Sequence, residues 1–253
     1  MKALKTLNKL LIEKDPLARF EMLRRVGKLL VPDYRFKWPQ MEWWSDPVFN
    51  EYLDKFDETD GMNTDRRWMT YQLMRLVRNV PGDTAECGVF TGAGSYIICK
   101  VNQENELFQR THYIFDSFEG LSKPLAEDGA HWAEGDMFYP EETVRKNLAE
   151  FSNISIHKGW IPQRFTDIKQ HNFCFVHIDV DLFDPTMDSM EFFYPRLNQG
   201  GVIVCDDYGF TSCPGATKAV DQFLENKIEK MVSLSAGGGF FIKGIETESR
   251  LQL

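Results

Sequence analysis

Residues 173–185 read FCFVHIDVDLFDP, a run of β-formers that ends in acid, and residues 203–209 repeat the arrangement as IVCDDYG. Near-continuous apolar runs of this kind fit strands buried on both faces, as in parallel sheets covered by helices. Between the two runs, PTMDSMEFFYPRL (185–197) has helical spacing and is closed by NQGG (198–201), so the unit reads strand, helix, strand. In an open sheet of this type the parallel strands point the same way and ligands bind beyond their carboxyl ends. Acids that follow the strands therefore gather on one rim.

The same alternation extends outward in both directions. Upstream, DRRWMTYQLMRLVRNV (65–80) reads as a helix ended by PGD. TAECGVF (84–90) is a strand, TGAGS (91–95) a Gly-rich turn, and Tyr96 to Asn102 a helix. THYIFDSF (111–118) is a strand ending in Asp116, PEETVRKNLAEF (140–151) opens with the Pro and acids of a helix N-terminus, and NISIHKGW (153–160) is a strand and turn. Downstream come the strand VIVCDDYG (202–209), the helix GATKAVDQFLEN (215–226) and a terminal hairpin, KMVSLSAGGGFFIKG (230–244). The expectation is an α/β domain over 61–253, with a mostly parallel sheet and one antiparallel edge. Residues 1–60 look different: a basic amphipathic stretch (1–15), a second one (16–31) and an aromatic segment (34–56) predict a helical auxiliary region that packs on the main domain or on another subunit.

Composition narrows the function. A net charge of −9 over 253 residues argues against nucleic-acid binding, which needs a basic surface. No apolar run approaches the roughly eighteen residues of a membrane span. Lysines interrupt Leu4, Leu7, Leu10 and Leu11, so no signal-peptide core forms. The five cysteines form no CxxC pair and read as buried thiols of a reducing cytoplasm.

The strand ends then supply the candidate site: Glu86 to Gly88 with Thr91 to Ser95, Asp116 and Ser117, Gly159 and Trp160, His177 to Asp181, and Asp206 with Asp207. Gly88, Gly92 and Gly94 give GxxxGxG, neither the dinucleotide fingerprint GxGxxG nor a Walker A loop. Glu86 sets a negative charge there, which suits a cationic or zwitterionic ligand. Asp116 is placed to bind ribose hydroxyls, or else to hold the turn DSFEG. Three carboxylates on neighbouring strands, Asp179, Asp206 and Asp207, repel one another unless a cation joins them, and oxygen ligands suit Mg²⁺, Ca²⁺ or Mn²⁺. The plain alternative is helix capping and solvation. Asp184 is read as the cap of the following helix. Asp181 is a candidate base or a support for the ion, His177 a core histidine or a support behind the ligands rather than a ligand, and His131, in the loop EDGAHWAEGD (127–136), a lid or a surface residue.

Taken together, these stretches resemble the macrocin O-methyltransferase type (TylF/MycF) of class I S-adenosylmethionine-dependent methyltransferases. The resemblance rests on PGDTAECGVFTGAGS, FDSFEGLS, EDGAHWAEGD, HKGWIPQRF, the run from His177 to Gly209, GATKAVDQF and GGGFFIK, in order over about 61–243. It implies a Rossmann-like seven-stranded sheet with a reversed last strand, S-adenosylmethionine and Mg²⁺ as cofactors, a hydroxyl acceptor such as a glycoside, and a homo-oligomer. The cofactor-binding set it implies is Thr64, Glu86, Gly88, Thr91, Ser95, Asp116, Ser117, Gly159 and Trp160. The metal set is Asp179, Asp206 and Asp207, and the catalytic candidates are Asp179, Asp181 and His131. A non-catalytic cofactor-binding or assembly protein of the same fold is the alternative, and an NAD-dependent oxidoreductase is disfavoured by the missing GxGxxG.

Overall fold

The architecture is that of a computed structural model, which describes residues 12–14, 16–30, 41–59 and 63–248. Among these, strands β1 (Asp83–Cys87), β2 (His112–Asp116), β3 (Ile154–Lys158), β4 (Phe173–Ile178), β5 (Leu197–Cys205), β6 (Val232–Ser233) and β7 (Gly239–Ile242) form one seven-stranded sheet in the order β3-β2-β1-β4-β5-β7-β6. β1 to β5 pair in parallel, and β7 runs antiparallel to both β5 and β6. The expected mostly parallel α/β sheet with a reversed last strand is what forms. From β1 the chain moves outward to β2 and β3, then crosses back to β4 and β5, so the order reverses between β1 and β4. That is where a ligand crevice opens in this class of sheet.

Helices cover both faces. Strand residues alternate between them, with Tyr113 and Phe115 packing on one side and Ile114 on the other. One face meets α6 (Phe183–Phe193) and α7 (Pro214–Leu224). There Phe115, Phe165, Phe173, Phe193 and Phe241 are fully buried, each worth about 1.5–3 kcal/mol of transfer free energy. The opposite face meets α3 (Thr64–Leu76), α4 (Ala93–Gln103) and α5 (Glu141–Asn147) through Leu73, Met74, Val77, Ile98, Val144 and Leu148.

The register sets the height of the rim. Cys87 lies level with Phe115 and with Ile178, and Ile178 with Cys205. One step beyond stand Gly88, Asp116, Asp179 and Asp206. The ladder continues through that step: Gly88 N donates to Phe115 O (2.9 Å), Asp179 N to Cys87 O (2.8 Å) and Asp206 N to Ile178 O (2.8 Å). Two expectations change here. NQGG does not lie outside the sheet but forms the early part of β5, where Gly200 N donates to the Lys243 carbonyl at 2.9 Å. Asp184 does not cap α6: the helix starts one residue earlier, at Phe183, and Asp128 from the 118–140 loop accepts the Phe183 N–H instead (2.7 Å).

The chain divides into two compact units, Met1–Thr64 and Asp65–Leu253. Within the first, α1 (Pro16–Leu30) carries the second amphipathic stretch, and α2 (Pro47–Lys55) is capped by Asp46, whose Oδ1 accepts the Phe49 N–H at 2.8 Å. Part of the aromatic segment packs on itself, Phe49 on Tyr52 and Tyr52 on Phe56, with ring centroids 5.8 and 5.4 Å apart. Residues 1–11, 15 and 31–40, with most of the basic stretch and the start of the aromatic segment, lie outside the described residues.

Gly88 shows how tightly the rim is built. Its φ is +77°, and a Cβ there would collide with the Asp179 carbonyl. Gly88→Ala is expected to destabilise the fold by about 2 kcal/mol or more, read as a Tm lower by roughly 4–8 °C. An unchanged Tm would contradict this packing.

Candidate active site

A cavity of about 370 Å³ opens at the switch point. Its walls come from the ends of β1, β2, β3 and β4 and from the first turns of α6: Gly88 to Phe90, Asp116 and Ser117, Gly159 to Ile161, Asp179 to Leu182, and Asp184, Pro185 and Asp188. The loop after β2 adds Gly120, Leu121, Ser122 and Met137. It is folded back on itself by Leu121 N to Asp136 O (2.8 Å) and Gly135 N to Leu121 O (2.9 Å). Among the described residues five non-glycines have positive φ, and three of them, Phe90 (42°), Met137 (59°) and Asp181 (60°), line this cavity. Sparsely populated backbone conformations tend to collect at functional sites.

Asp116 serves the turn and faces the cavity. Its two oxygens accept Val89 N and Phe118 N, each at 2.7 Å. Burial raises its pKa despite these donors. Carboxylate oxygens have more than one acceptor position each, so capacity for ligand hydroxyls remains.

Beneath the rim lies a buried row of alternating charge. Glu86 and His177 are level neighbours on β1 and β4, joined by a 2.8 Å contact from Oε1 to Nδ1. His177 Nε2 faces Asp206 Oδ1 at 3.4 Å. Asp206 Oδ2 in turn pairs with the guanidinium of Arg66. Burial would strip the proton from His177, but its two carboxylate neighbours outweigh that and raise its pKa to about 10. Burial likewise disfavours charge on Glu86, yet His177 holds its pKa below the ordinary value. Asp206 is held far below the usual carboxylate range, because Arg66 and His177 outweigh its burial.

The remaining acids sit in a different regime. Burial, reinforced by the Asp206 charge, pushes Asp179 up to about 7. Burial and the negative charges of Asp181 and Asp179 push Asp207 well above its ordinary value. Asp207 Oδ2 accepts the backbone N–H groups of Val180 (3.1 Å) and Asp181 (2.8 Å), so this side chain holds the turn that carries Asp181. Ligand atoms of His177, Asp179 and Asp206 fall within 4.8 Å of one another, as do those of Asp181, Asp207 and Cys213.

The description "Macrocin-O-methyltransferase (TylF)" belongs to a family model that matches residues 66–241. The chain belongs to this family. It is 27% identical over 157 residues to demethyldecarbamoylnovobiocin O-methyltransferase of Streptomyces niveus, covering 57% of this chain and 59% of that protein. It is 29% identical over 152 residues to 8-demethyl-8-(2,3-dimethoxy-alpha-L-rhamnosyl)-tetracenomycin-C 4'-O-methyltransferase of Streptomyces olivaceus, covering 56% and 58%. The chain thus matches a little under three fifths of the length of these curated relatives. The crystal structure of CalS11, calicheamicin methyltransferase, shares the fold, with a TM-score of 0.66, 19% identity, and coverage of 92% of this chain and 95% of that one.

Of the residues expected from the TylF resemblance, Gly88, Asp116, Ser117, Gly159, Trp160, Asp179 and Asp181 line the cavity, whereas Glu86, Thr91, Ser95, Asp206 and Asp207 do not. Glu86 points into the interior, where Ser95 and His177 satisfy it, because its position on β1 faces the sheet neighbour rather than the loop. Ser95 also contacts His112 Nε2 at 2.9 Å. Thr91 is half-buried, and its carbonyl accepts from Asn147 (2.9 Å). Thr64 belongs to the N-terminal unit, where its hydroxyl donates to the Glu58 carbonyl at 3.0 Å. His131 is exposed, edge-on to Trp132 at 4.6 Å, and is not among the lining residues. The three expected metal carboxylates divide, with Asp179 and Asp206 in one group and Asp207 in the other. Sequence reasoning missed Gln163, Met137 and Asp188. Only Asp188 had a signal, its helical spacing of four from Asp184.

The buried pair gives a pH signature. The Glu86 contribution is present above its ordinary value of 4.5 and fades as pH falls through its lowered pKa. The His177 contribution is full below 6.5 and fades as pH rises toward about 10. His177→Gln is therefore expected to lose about 3–5 kcal/mol near pH 6 in urea unfolding, and clearly less at the alkaline end of that range. Equal losses at both pH values would mean that His177 is uncharged.

Proposed function

We propose that this protein is an O-methyltransferase that moves a methyl group from S-adenosylmethionine to a hydroxyl of a small-molecule glycoside. The family match over 66–241, with a cavity at the switch point of the matching fold, supports this reading most. The name of the Streptomyces olivaceus relative refers to a rhamnosyl-tetracenomycin and a 4'-position, which favours a sugar hydroxyl. A homo-oligomer is part of the same proposal, and the exposed Leu23, Leu29 and Leu30 of α1 offer an apolar surface for it.

When bound, S-adenosylmethionine supplies a methyl group already activated on a positively charged sulfur. Asp116 holds the ribose hydroxyls, while Gly88 lets the backbone come close to the ligand. The acids of the cavity, Asp179 and Asp181 among them, suit its positive charges.

The carboxylates also fit a divalent cation, which we take to be Mg²⁺. Asp179 accepts no hydrogen bond among the described side chains, and burial with the neighbouring Asp206 charge raises its pKa to about 7, so a cation would relieve it. Asp179 and Asp206 would hold the ion, with Asp207 Oδ2 fixing the Val180–Asp181 turn beside them. Such an ion would supply Lewis-acid chemistry, making the acceptor hydroxyl easier to deprotonate. Asp181 lines the cavity with a pKa raised by burial and takes the hydroxyl proton on its carboxylate. The positive φ of Asp181 and the two backbone N–H bonds to Asp207 orient that carboxylate.

Titration calorimetry with S-adenosylmethionine, with NAD⁺ as control, tests the cofactor. Micromolar binding of the first and none of the second is expected; the reverse would sink the reading, and no binding of either would favour a non-catalytic protein. In an acceptor assay, Asp181→Asn is expected to lower kcat by about 10²–10⁴-fold while leaving cofactor affinity near that of the parent. A kcat within a few-fold of the parent would remove Asp181 as the base.

A further inference from the structure

We infer that Arg66 is the resident counter-ion of the metal seat, so that its guanidinium and a divalent cation compete for the same carboxylate oxygen of Asp206. The inference rests on the metal reading above. Arg66 lies in the first turn of α3 and reaches the end of β5, 140 residues away in sequence. Its Nη1 is ion-paired with Asp206 Oδ2 and also donates to the Asp206 backbone carbonyl at 3.3 Å. The guanidinium lies over the Phe210 ring, 5.1 Å from its centroid.

Asp206 therefore has a neighbour at each oxygen: the Arg66 guanidinium at Oδ2, and the His177 ring at Oδ1, 3.4 Å away. The two partners differ in freedom. His177 is wholly buried and fixed from its other side by Glu86. Arg66 keeps 18% of its side chain exposed and ends a long, rotatable stem, so it is the partner that can withdraw. Asp179, just past the end of the adjacent strand, has no such partner among the described residues. An incoming ion would gain Asp179 directly but gain Asp206 Oδ2 only by displacing a charge-assisted bond. In the ion's absence the guanidinium relieves repulsion among carboxylates that would otherwise face one another. Arg66 is a positioning residue in this account, and it sets how tightly the ion is held.

The test is Mn²⁺ binding to the full chain without cofactor or acceptor, followed by the electron paramagnetic resonance of free Mn²⁺. Arg66→Gln is expected to bind Mn²⁺ about five-fold or more tightly than the parent, on the scale of one lost charge-assisted bond. Lys218→Gln removes a cation that pairs instead with Glu127 (3.5 Å), and is expected to change affinity less than about two-fold. Arg66→Lys keeps the charge but loses the planar fork, and should fall between parent and Arg66→Gln; it carries the test alone if Arg66→Gln does not fold. Equal or weaker binding by the Arg66 variants overturns the inference and leaves the metal reading standing. Absence of Mn²⁺ binding in parent and variants alike removes both.

Discussion

A buried row of alternating charge, Glu86, His177, Asp206 and Arg66, holds this site together. It ties β1 to β4, β4 to β5, and β5 to α3, the four elements whose ends carry these side chains. Burying Glu86, His177 and Asp206 as charged groups is costly one by one, and removing any one would leave its neighbour charged and uncompensated in a low dielectric. In sequence the partners are far apart: Glu86 and His177 are separated by 91 residues, Arg66 and Asp206 by 140. The row can therefore form only when the sheet has its native order and register. It neutralises Asp206 from both sides and leaves Asp179 without an ion-pair partner among the described residues.

That imbalance organises the chemistry proposed for the cavity. Acids on one rim are an inevitable result of parallel strands in register, since Asp116, Asp179 and Asp206 stand one step past the level row formed by Cys87, Phe115, Ile178 and Cys205. Their environments then separate them. Asp206 is fixed as an anion, Asp179 is pushed up to about 7, and Asp207 accepts two backbone N–H groups on Oδ2. Neighbouring carboxylates driven in opposite directions by their surroundings are how one rim can both hold a cation and accept a proton.

Much of the fold was legible in the sequence because its signals are local. The apolar runs at 173–178 and 202–205, the helix spacing at 214–224 and the Gly-rich turn before β7 each announce their own element. NQGG misled because its composition is that of a turn, while its place in β5 depends on pairing with residues outside the segment. Asp184 looked like a cap because nothing local shows that Asp128, 55 residues earlier, takes the Phe183 N–H. At the site, the strand-end acids were visible as a group, but their division was not. Glu86 reads as a loop acid until its partner His177 is known, and nothing local shows that Asp207 Oδ2 holds the Val180–Asp181 turn. Side-chain direction at a strand end is decided by long-range partners, which spacing does not record.

The most direct test of this account is the charge state of His177, followed by nitrogen and carbon NMR of the labelled imidazole rings across a pH titration. The account predicts a ring with both nitrogens protonated well above the ordinary histidine value of 6.5, losing its proton only as pH approaches about 10. A His177 that is already neutral at pH 7 would contradict it, because Glu86 and Asp206 would then be buried anions without the cation that joins them.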